Sequence, residues 1–384
     1  MDFRCGRISI PEPDNCSGAD NLSLNTGFIV APDDSSAFKV SVELYLIGTI
    51  SLLGVLGNCL SALVLRRDRE RRESLLLLQV LALADGVYLV AALFKYPLKY
   101  LINEYAYQHI QLGAFPLLKT SQTICIWTMV LVTIDRYVYV CHPLRAQRLF
   151  TRRSRRLWAL GIFVAGVLYN LPRFFDSCIS TFILPCGRKH IAAMVYRTAF
   201  ANTVYYILYR HALYILLLYA VPLTILACLN CRLVRAIRRS RKQHAHCVHT
   251  AYPHDPTTHD NNATTFLVTI VVIFLICESL EPVIHLLSFM ESQLGVRVMS
   301  FNYMNIYTVS ALLMVVNSSV NFVIYVVLGQ RFRRILKETF KQSFLTTTSF
   351  LTRETVPLQQ QQPLQQHKQH TQDKHGRCLE DQLM

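Results

Sequence analysis

Long apolar segments alternate with short polar ones along most of the chain. A helix needs about 20 mostly apolar residues to cross a membrane, because the hydrocarbon core is about 30 Å thick and each residue rises about 1.5 Å. Segments of that length predict spanning helices at about 42–65, 74–98, 109–140, 157–175, 203–231, 264–290 and 302–328. The alternating segments that a membrane barrel requires do not occur. The pattern therefore predicts an all-α membrane protein, built as a seven-transmembrane helix bundle.

The composition favours the same fold class. Hydrophobic residues make up 52% of the 384 residues and charged residues only 16%, whereas soluble domains carry roughly 25% charged residues. This balance excludes a disordered chain and disfavours a soluble globule.

The distribution of Lys and Arg predicts the orientation of the helices, because cytoplasmic loops carry an excess of both residues. If the N-terminus is outside, the cytoplasmic segments hold 27 of the 39 Lys and Arg but only 11 of the 24 Asp and Glu. We therefore expect a multi-pass protein of the plasma membrane with a cytoplasmic C-terminus. The basic clusters at 66–73 and 151–156 could also suggest nucleic acid, but each adjoins an apolar span. Anionic lipid or a cytoplasmic protein is a better partner for them.

Four regions are expected along the chain. Residues 1–41 form a polar extracellular segment without the apolar core of a signal peptide, and residues 42–329 form the helix bundle. Residues 330–342 place apolar side chains on one face and basic ones on the other, which predicts a short amphipathic eighth helix on the cytoplasmic side. Residues 343–384 are expected to be a disordered cytoplasmic tail. Two glycosylation sequons fall in the first region, at Asn15 and Asn21.

Polar side chains occur inside the predicted spans, where they are costly and usually face the bundle interior. The third span repeats one inward face at spacings of three and four, with Leu118, Gln122, Cys125, Met129, Val132 and Arg136. This face leads to an Asp135–Arg136 pair at the predicted cytoplasmic end.

Several motifs follow one another in a fixed order on these helices: GN at 57–58, LALAD at 81–85, IDRYVYVCHPL at 134–144, LYNLPRFF at 168–175, a long run at 205–230 and NSSVNFVIY at 317–325. Together they resemble the class A (rhodopsin-like) G-protein-coupled receptors and, more narrowly, the FMRFamide-type neuropeptide receptors of invertebrates. The resemblance covers about residues 42–342. It implies a receptor that couples an extracellular neuropeptide to a cytoplasmic heterotrimeric G protein, with arrestin as a further partner.

The resemblance implies an activation switch at the cytoplasmic end. Arg136 would pair with Asp135 at rest and turn toward the G protein and Tyr325 on activation, and Tyr137 completes the motif. Leu144 matches an apolar side chain that docks on the G protein. Such a pair suits a switch because it is strong in a dry pocket and weakens when a partner enters. As the structural alternative, the pair only anchors the third helix at the membrane interface.

The resemblance also implies a polar core, which in this family often holds a sodium ion. The matching residues are Asn58, Asp85, Cys125, Asn317, Ser318 and Asn321. Cys125 stands where a serine hydroxyl is usual, so the core lacks one of the hard oxygen ligands that sodium prefers. We expect a water-filled core with weak or no sodium binding, and neither a metal centre nor a cofactor.

The chain departs from the family pattern at several positions. Gln111 replaces the usual cysteine at the outer end of the third helix, so we favour a Cys178–Cys186 disulfide within the second outer loop. Four cysteines are predicted outside, and three complete pairings are open to them. Pro282 should kink the sixth helix, although no tryptophan precedes it. Phe322 replaces the usual proline of the seventh helix, where a milder kink is expected.

The ligand is expected to be a C-terminally amidated peptide. Leu118 occupies the place where amine receptors carry an aspartate, which disfavours a small amine. Gln122 can both donate to and accept from a terminal amide, and Glu281 can bind an arginine of the ligand. Alternatively, Lys119 and Glu281 pair with each other and never touch the ligand. The candidate ligand-binding residues are Lys95, Lys99, Lys119, Gln122, Glu281, His285, Tyr303 and Tyr307.

Other functions have less support. Paired carboxylates, a nucleophile elbow and a phosphate-binding glycine loop are all absent from the sequence, so no enzyme is predicted. The histidines and the cysteine of 244–249 could bind zinc, but a solvated loop is favoured because finger spacing is missing. A transporter would explain Asp85, Lys119 and Glu281 within the membrane, but not the order of the motifs. A class A receptor with a non-peptide ligand or weak coupling is the closer alternative.

Overall fold

The computed structural model describes residues 37–68, 75–184, 190–197, 204–247, 257–294 and 301–354. Asn15, Asn21 and Cys186 lie outside these residues, so the glycosylation sites and the disulfide partner stay predictions. Cys178 itself is disulfide-bonded.

Seven helices in the described part of the chain are long and apolar enough to cross a membrane. They are α1 (Ala37–Arg67), α2 (Leu76–Lys95), α3 (Glu104–Cys141), α4 (Arg152–Asn170), α5 (205–247), α6 (257–294) and α7 (Phe301–Leu328). Tight 3₁₀ turns extend α2 and α4, at Pro97–Tyr100 and Leu171–Phe174, and a short helix, Pro143–Leu149, follows α3. The predicted fold class, a seven-helix bundle, is confirmed.

Side-chain caps mark where α3 and α4 begin. The Asn103 side chain accepts a hydrogen bond from the backbone N–H of Ala106 at 2.8 Å, and Thr151 accepts one from that of Ser154 at 3.2 Å. Both capping residues have extended backbone. Each therefore satisfies one of the backbone donors that the first turn of a helix leaves free.

Helices α1 and α5 depart locally from α-helical geometry. Their π-helical stretches are Ser41–Ile47 in α1, and Tyr205–Leu213 and Leu216–Ala220 in α5. Such stretches are rare and occur often at functional sites, and those in α5 flank or contain two buried tyrosines, Tyr214 and Tyr219. Beyond them α5 continues as Val221–Cys247, past the predicted end at 231, because 232–247 contains no Gly or Pro.

Helix α6 is interrupted at Ser279, between the segments Thr257–Glu278 and Leu280–Leu294. Pro282 lacks a backbone N–H, and its ring conflicts with the carbonyl four residues earlier. The Ser279 hydroxyl donates to the carbonyl oxygen of Ile276 at 2.8 Å. The bend expected at Pro282 therefore takes the form of a break in the helix.

Helix α7 is continuous from end to end, and Phe322 stands at the position where a proline would disturb it. Helix α8 (Gln330–Glu354) follows directly and continues beyond residue 342. The tail was expected to begin at 343, but no Gly or Pro interrupts 343–354. The chain divides after Phe332 into two units. The position of α8 on the inner membrane surface stays a prediction.

A two-stranded antiparallel hairpin separates α4 from α5 in the chain. Its strands are β1 (Ser177–Leu184) and β2 (His190–Arg197), with Cys178 opposite Tyr196. The helical pattern did not predict these short strands. Both pack against α3, so the end of the bundle where they lie is called the hairpin end. The opposite end, where α3 finishes, is called the Arg136 end.

Helices α1, α2, α3 and α7 share one apolar core, in which Ile47, Leu89, Leu118 and Val315 are almost fully buried. A close approach between α1 and α7 depends on glycine. A Cβ atom added at Gly57 would lie 2.9 Å from the Cβ of Phe322, which is closer than packed carbon atoms tolerate.

Replacing Gly57 by Ala should lower the free energy of unfolding by about 1–3 kcal/mol, because α1 and α7 must separate to admit the methyl group. The matched control is Gly161→Ala in α4, where an added Cβ meets nothing within 4 Å. Alanine is the better helix former, so the control should be neutral or slightly stabilising. Melting temperatures of the purified protein in detergent measure both. Equal destabilisation of the two variants would contradict the close α1–α7 contact.

Candidate functional site

A buried ion pair joins α3 to α6 inside the bundle. Lys119 Nζ donates to Glu281 Oε1 at 2.9 Å, and the two side chains are only 8% and 7% exposed. The second carboxylate oxygen of Glu281 accepts a hydrogen bond from the Ser310 hydroxyl of α7 at 2.8 Å. A buried charge is tolerated when it is paired and hydrogen-bonded, and both conditions hold here. Three helices therefore meet at Glu281.

Two tyrosines of α5 complete this cluster. Lys119 Nζ also donates to the hydroxyl oxygen of Tyr214 at 2.9 Å and to Gln122 Oε1 at 3.1 Å. The Gln122 amide N–H donates in turn to the hydroxyl oxygen of Tyr219 at 3.1 Å. His285 Nε2 lies 3.6 Å from Glu281 Oε1. We call Lys119, Gln122, Tyr214, Tyr219, Glu281 and His285 the central polar cluster.

The structure thus brings four of the eight candidate ligand-binding residues into one cluster: Lys119, Gln122, Glu281 and His285. The Lys119–Glu281 contact is the pairing that the sequence left open as an alternative. The sequence reasoning missed Tyr214 and Tyr219, because tyrosine inside an apolar span gives no signal that separates a cluster member from a core residue.

Two other candidate lysines have partners nearer the start of α1 and the end of α2. Lys95 Nζ donates to the hydroxyl of Tyr307 at 2.8 Å and lies 4.7 Å from the centre of the Phe115 ring. Lys99 forms an ion pair with the buried carboxylate of Glu43. Glu43 was also missed, although an acidic residue within a span is itself a signal. The side chain of Tyr303 lies outside the described part of the chain.

The hairpin end contains a cavity of about 160 Å³ beside the start of α3. Its lining includes Gln111, Phe115, Arg173, Asp176 and Ser177. Arg173 lies in the 3₁₀ turn that extends α4 and is 3% exposed. It lies within a predicted span, so its charge was a usable signal that the sequence reasoning did not take up.

The predicted polar core forms around Asp85, which accepts a hydrogen bond from the Asn321 amide at 2.7 Å. The side chains of Cys125 and Ser318 lie beside this carboxylate. Asn58 donates to the carbonyl oxygen of Ser318 at 2.8 Å, which ties α1 to α7.

Asn317 differs from the other members of the predicted core. Its amide points to Glu278 Oε1 of α6, 3.4 Å away. Among the described residues, no three His, Cys, Asp or Glu side chains converge in a way that could hold a metal ion.

At the Arg136 end, Asp135 is held by an arginine from α4. Arg155 donates to Asp135 Oδ1 from both Nε and Nη2, at 3.0 and 2.9 Å. Arg136 Nε lies 3.9 Å from the other carboxylate oxygen. The expected Arg136–Asp135 pair is therefore present as a long contact, and the sequence reasoning missed Arg155 as a second, closer partner of Asp135. Two short charge-assisted bonds outweigh one long contact.

Arg136 lines a small cavity together with Asn230 of α5. Both polar atoms of the Asn230 side chain are buried without a hydrogen-bond partner in the described part of the chain. Tyr325 is buried, with its ring 5.5 Å from that of Phe332.

Leu144 and Tyr137, the other predicted residues at this end, differ from Arg136 in their exposure and contacts. Leu144 is 81% exposed on the short helix after α3, as an apolar docking residue would be. The ring of Tyr137 lies 6.0 Å from that of His142, edge to face.

Replacing Arg155 by Ala should destabilise the protein by roughly 2 kcal/mol, because the buried Asp135 carboxylate loses two short hydrogen bonds. Arg156→Ala removes an exposed arginine from the same cluster and should change the melting temperature little. Thermal melting of the purified variants measures the difference. Equal melting temperatures of the two variants would show that the Asp135–Arg155 contact does not stabilise the protein.

The central ion pair can be tested by a double-mutant cycle. Lys119→Met should destabilise the protein by about 3 kcal/mol, since it leaves the Glu281 carboxylate buried without its cation. Combining it with Glu281→Gln removes that charge, so the double variant should lose clearly less than the sum of the two single losses. Strictly additive losses would show that the two side chains do not interact.

Comparisons with known proteins give one family and several receptors. The family described as "7 transmembrane receptor (rhodopsin family)" matches residues 57–325. The FMRFamide receptor of Drosophila melanogaster is 29% identical over 300 residues, which cover 76% of this chain and 52% of the relative. The chain therefore spans about half the length of that relative.

Two further relatives are matched over more of their own length. The FMRFamide peptide receptor frpr-18 of Caenorhabditis elegans is 25% identical over 316 residues, covering 78% of this chain and 69% of the relative. The human galanin receptor type 1 is 27% identical over 334 residues, covering 81% and 86%.

Proposed function

Because the chain belongs to the rhodopsin family of seven-transmembrane receptors, we propose that it is a plasma-membrane receptor for an extracellular, amidated neuropeptide. Peptide binding activates a heterotrimeric G protein on the cytoplasmic side. The observation that carries the proposal is the central polar cluster, which holds three helices together through one carboxylate, Glu281. Two relatives of the chain, one from fly and one from nematode, are named for FMRFamide, which supports a peptide as the ligand.

The charge distribution supports the orientation of the proposed receptor. The hairpin end faces the outside, and the Arg136 end faces the cytoplasm with the basic clusters at 66–73 and 151–156. The N-terminal segment, with its sequons at Asn15 and Asn21, is then extracellular. The tail after α8 is cytoplasmic.

The ligand reaches the central polar cluster from the hairpin end. Gln122 has both a donor and an acceptor, which match the carbonyl oxygen and the NH₂ of a terminal amide. An arginine of the peptide competes with Lys119 for Glu281, since both are cations and the carboxylate is already hydrogen-bonded. Lys95, with Tyr307, and Lys99, with Glu43, lie nearer the entrance.

The break at Ser279 supports a hinge in α6. Glu281 lies on the segment beyond the break, and Glu278 lies on the segment before it. A ligand that displaces Lys119 from Glu281 changes the contacts of the segment after the break. The segment before the break remains free to swing outward. The agonist binds the swung state more tightly than the resting state and so shifts the population toward it.

The cytoplasmic readout then involves Arg136 and Leu144. Because Arg155 already neutralises Asp135, this carboxylate keeps its main partner when Arg136 turns toward the G protein. The buried Asn230 lines the small cavity beside Arg136. Exposed Leu144 offers an apolar contact for the same partner, and arrestin is a further partner for this face.

A calcium assay in cells that express the chain with a promiscuous G-protein α subunit tests the proposal. A library of amidated peptides should contain one that gives a saturable, sequence-selective response. Arg136→Ala should abolish that response while leaving peptide affinity within about threefold, because Arg136 lies at the end opposite to the ligand.

The matched control is Arg156→Ala, which removes an exposed arginine and should signal normally. Full signalling by Arg136→Ala at equal surface expression would refute its role as the switch. A receptor also loses agonist affinity when GTP uncouples its G protein, which a transporter would not do. An agonist affinity that is the same with and without GTP would therefore contradict coupling to a G protein.

A further inference from the structure

Arg173 is a buried cation that no acidic side chain in the described part of the chain neutralises. It lies in the turn that ends α4, is 3% exposed and lines the cavity of about 160 Å³ at the hairpin end. Its Nε and Nη2 atoms are buried without a hydrogen-bond acceptor among the described residues. Burying a cation in this way is costly unless something pairs with it.

Two aromatic rings hold the guanidinium in place. Its central carbon lies 4.9 Å from the centre of the Tyr214 ring and 5.3 Å from that of the Tyr209 ring. Such cation–π contacts contribute about 1–2 kcal/mol when they are desolvated. The ring faces, however, give Nε and Nη2 no hydrogen-bond acceptor.

The acidic side chain on the described cavity wall is already engaged. Asp176 accepts hydrogen bonds from Arg210 Nη1 at 2.7 Å, from Ser177 at 2.8 Å and from Tyr205 at 3.1 Å. Arg210 and Asp176 cancel each other, so the charge of Arg173 is the uncompensated charge of this wall.

The outer loop cannot supply a second carboxylate. Residues 177–203 contain no Asp or Glu, whereas they contain Arg188, Lys189 and Arg197. The segment 177–203 therefore adds positive rather than negative charge to the chain. Neither the described residues nor the segment 177–203 supplies an anion for Nε and Nη2 of Arg173.

The geometry of the unpartnered atoms indicates which anion. Nε and Nη2 lie along one edge of the planar guanidinium, and this edge donates two parallel hydrogen bonds to the two oxygens of a carboxylate. Tyr214 links the site to the central polar cluster, because its ring faces Arg173 while its hydroxyl contacts Lys119. A single peptide that enters from the hairpin end can reach both.

We infer that Arg173 binds a carboxylate of the extracellular ligand, so that the peptide carries an acidic residue upstream of its amidated end. This inference rests on the proposed function and specifies the class of peptide. Because Arg173 binds the ligand's acid and the central polar cluster binds its terminal amide, the receptor discriminates among amidated peptides by their upstream residues.

Pairs of synthetic peptides test the inference. Each pair ends in Phe-Met-Arg-Phe-NH₂ and differs only in Asp or Asn at one upstream position. At one position the Asp peptide should bind the unmodified receptor about 10- to 100-fold more tightly in competition assays, as expected for a hydrogen-bonded charge pair. Arg173→Gln should abolish that preference by weakening the Asp peptide alone. Arg173→Lys should keep part of it, since the charge remains while the two-pronged edge is lost.

The matched control is Gln111→Ala, which alters a neutral side chain on the same cavity wall. It should shift both members of a pair by the same factor and preserve their ratio. An unchanged Asp preference in Arg173→Gln, or the absence of any Asp preference across all positions, would overturn the inference. If Arg173→Gln does not reach the cell surface, Arg173→Lys tests the inference in its place. A reduced Asp preference in that variant supports the inference, and an unchanged preference contradicts it.

Failure of the proposed function is distinguishable from failure of this inference. If no amidated peptide binds the surface-expressed receptor, the carboxylate site is tested on purified protein with N-acetyl-aspartate amide and N-acetyl-asparagine amide. The aspartate compound should raise the melting temperature of the unmodified protein and not that of Arg173→Lys or Arg173→Gln. Equal effects of the two compounds on the unmodified protein would refute the site.

Discussion

The centre of the bundle depends on the buried ion pair between Lys119 and Glu281. Neither charge could remain there alone, because the low-dielectric interior makes an unpaired ion far more costly than a paired one. The pair requires acceptors and donors around it, which Tyr214 and Gln122 supply on one side and Ser310 on the other. It thereby sets the mutual position of α3, α5, α6 and α7. A buried pair contributes little net stability, so its main effect is to specify how these helices meet and what must change when they separate.

Two buried cations at neighbouring sites have opposite surroundings. Lys119 has a carboxylate, a phenol and an amide within hydrogen-bonding distance, whereas Arg173 has the faces of two tyrosine rings and no acid among the described residues. A satisfied cation links parts of the fold, and an unsatisfied one attracts a ligand. Tyr214 contacts both. The two sites at which we propose that a peptide binds therefore share one side chain.

Helices α6 and α7 show how small departures from the family pattern alter the path of a signal. Pro282 produces a break at Ser279, directly beside the carboxylate that the ligand is proposed to engage. Phe322 leaves α7 continuous and packs against the glycine face of α1 instead. The helix break therefore lies in α6 and not in α7. At the far end Arg155 takes the role of holding Asp135, which lowers the cost of moving Arg136.

The sequence alone determined the seven spans, their helical nature, the polar positions inside them and a bend near Pro282, because each follows from local composition and covalent geometry. It predicted Asn321, Ser318 and Cys125 as neighbours of Asp85, since their helix positions resemble a known family, whereas Asn317 contacts Glu278 instead. It left open whether Lys119 meets Glu281, and it gave no sign that Arg155 joins Arg136 at Asp135 or that Arg173 lacks an acid in the described part of the bundle. Those contacts join residues that are distant in the chain, and they depend on the rotation of each helix against its neighbours. Only the packed bundle decides that rotation, because hydrophobic spans alone leave it undetermined in lipid.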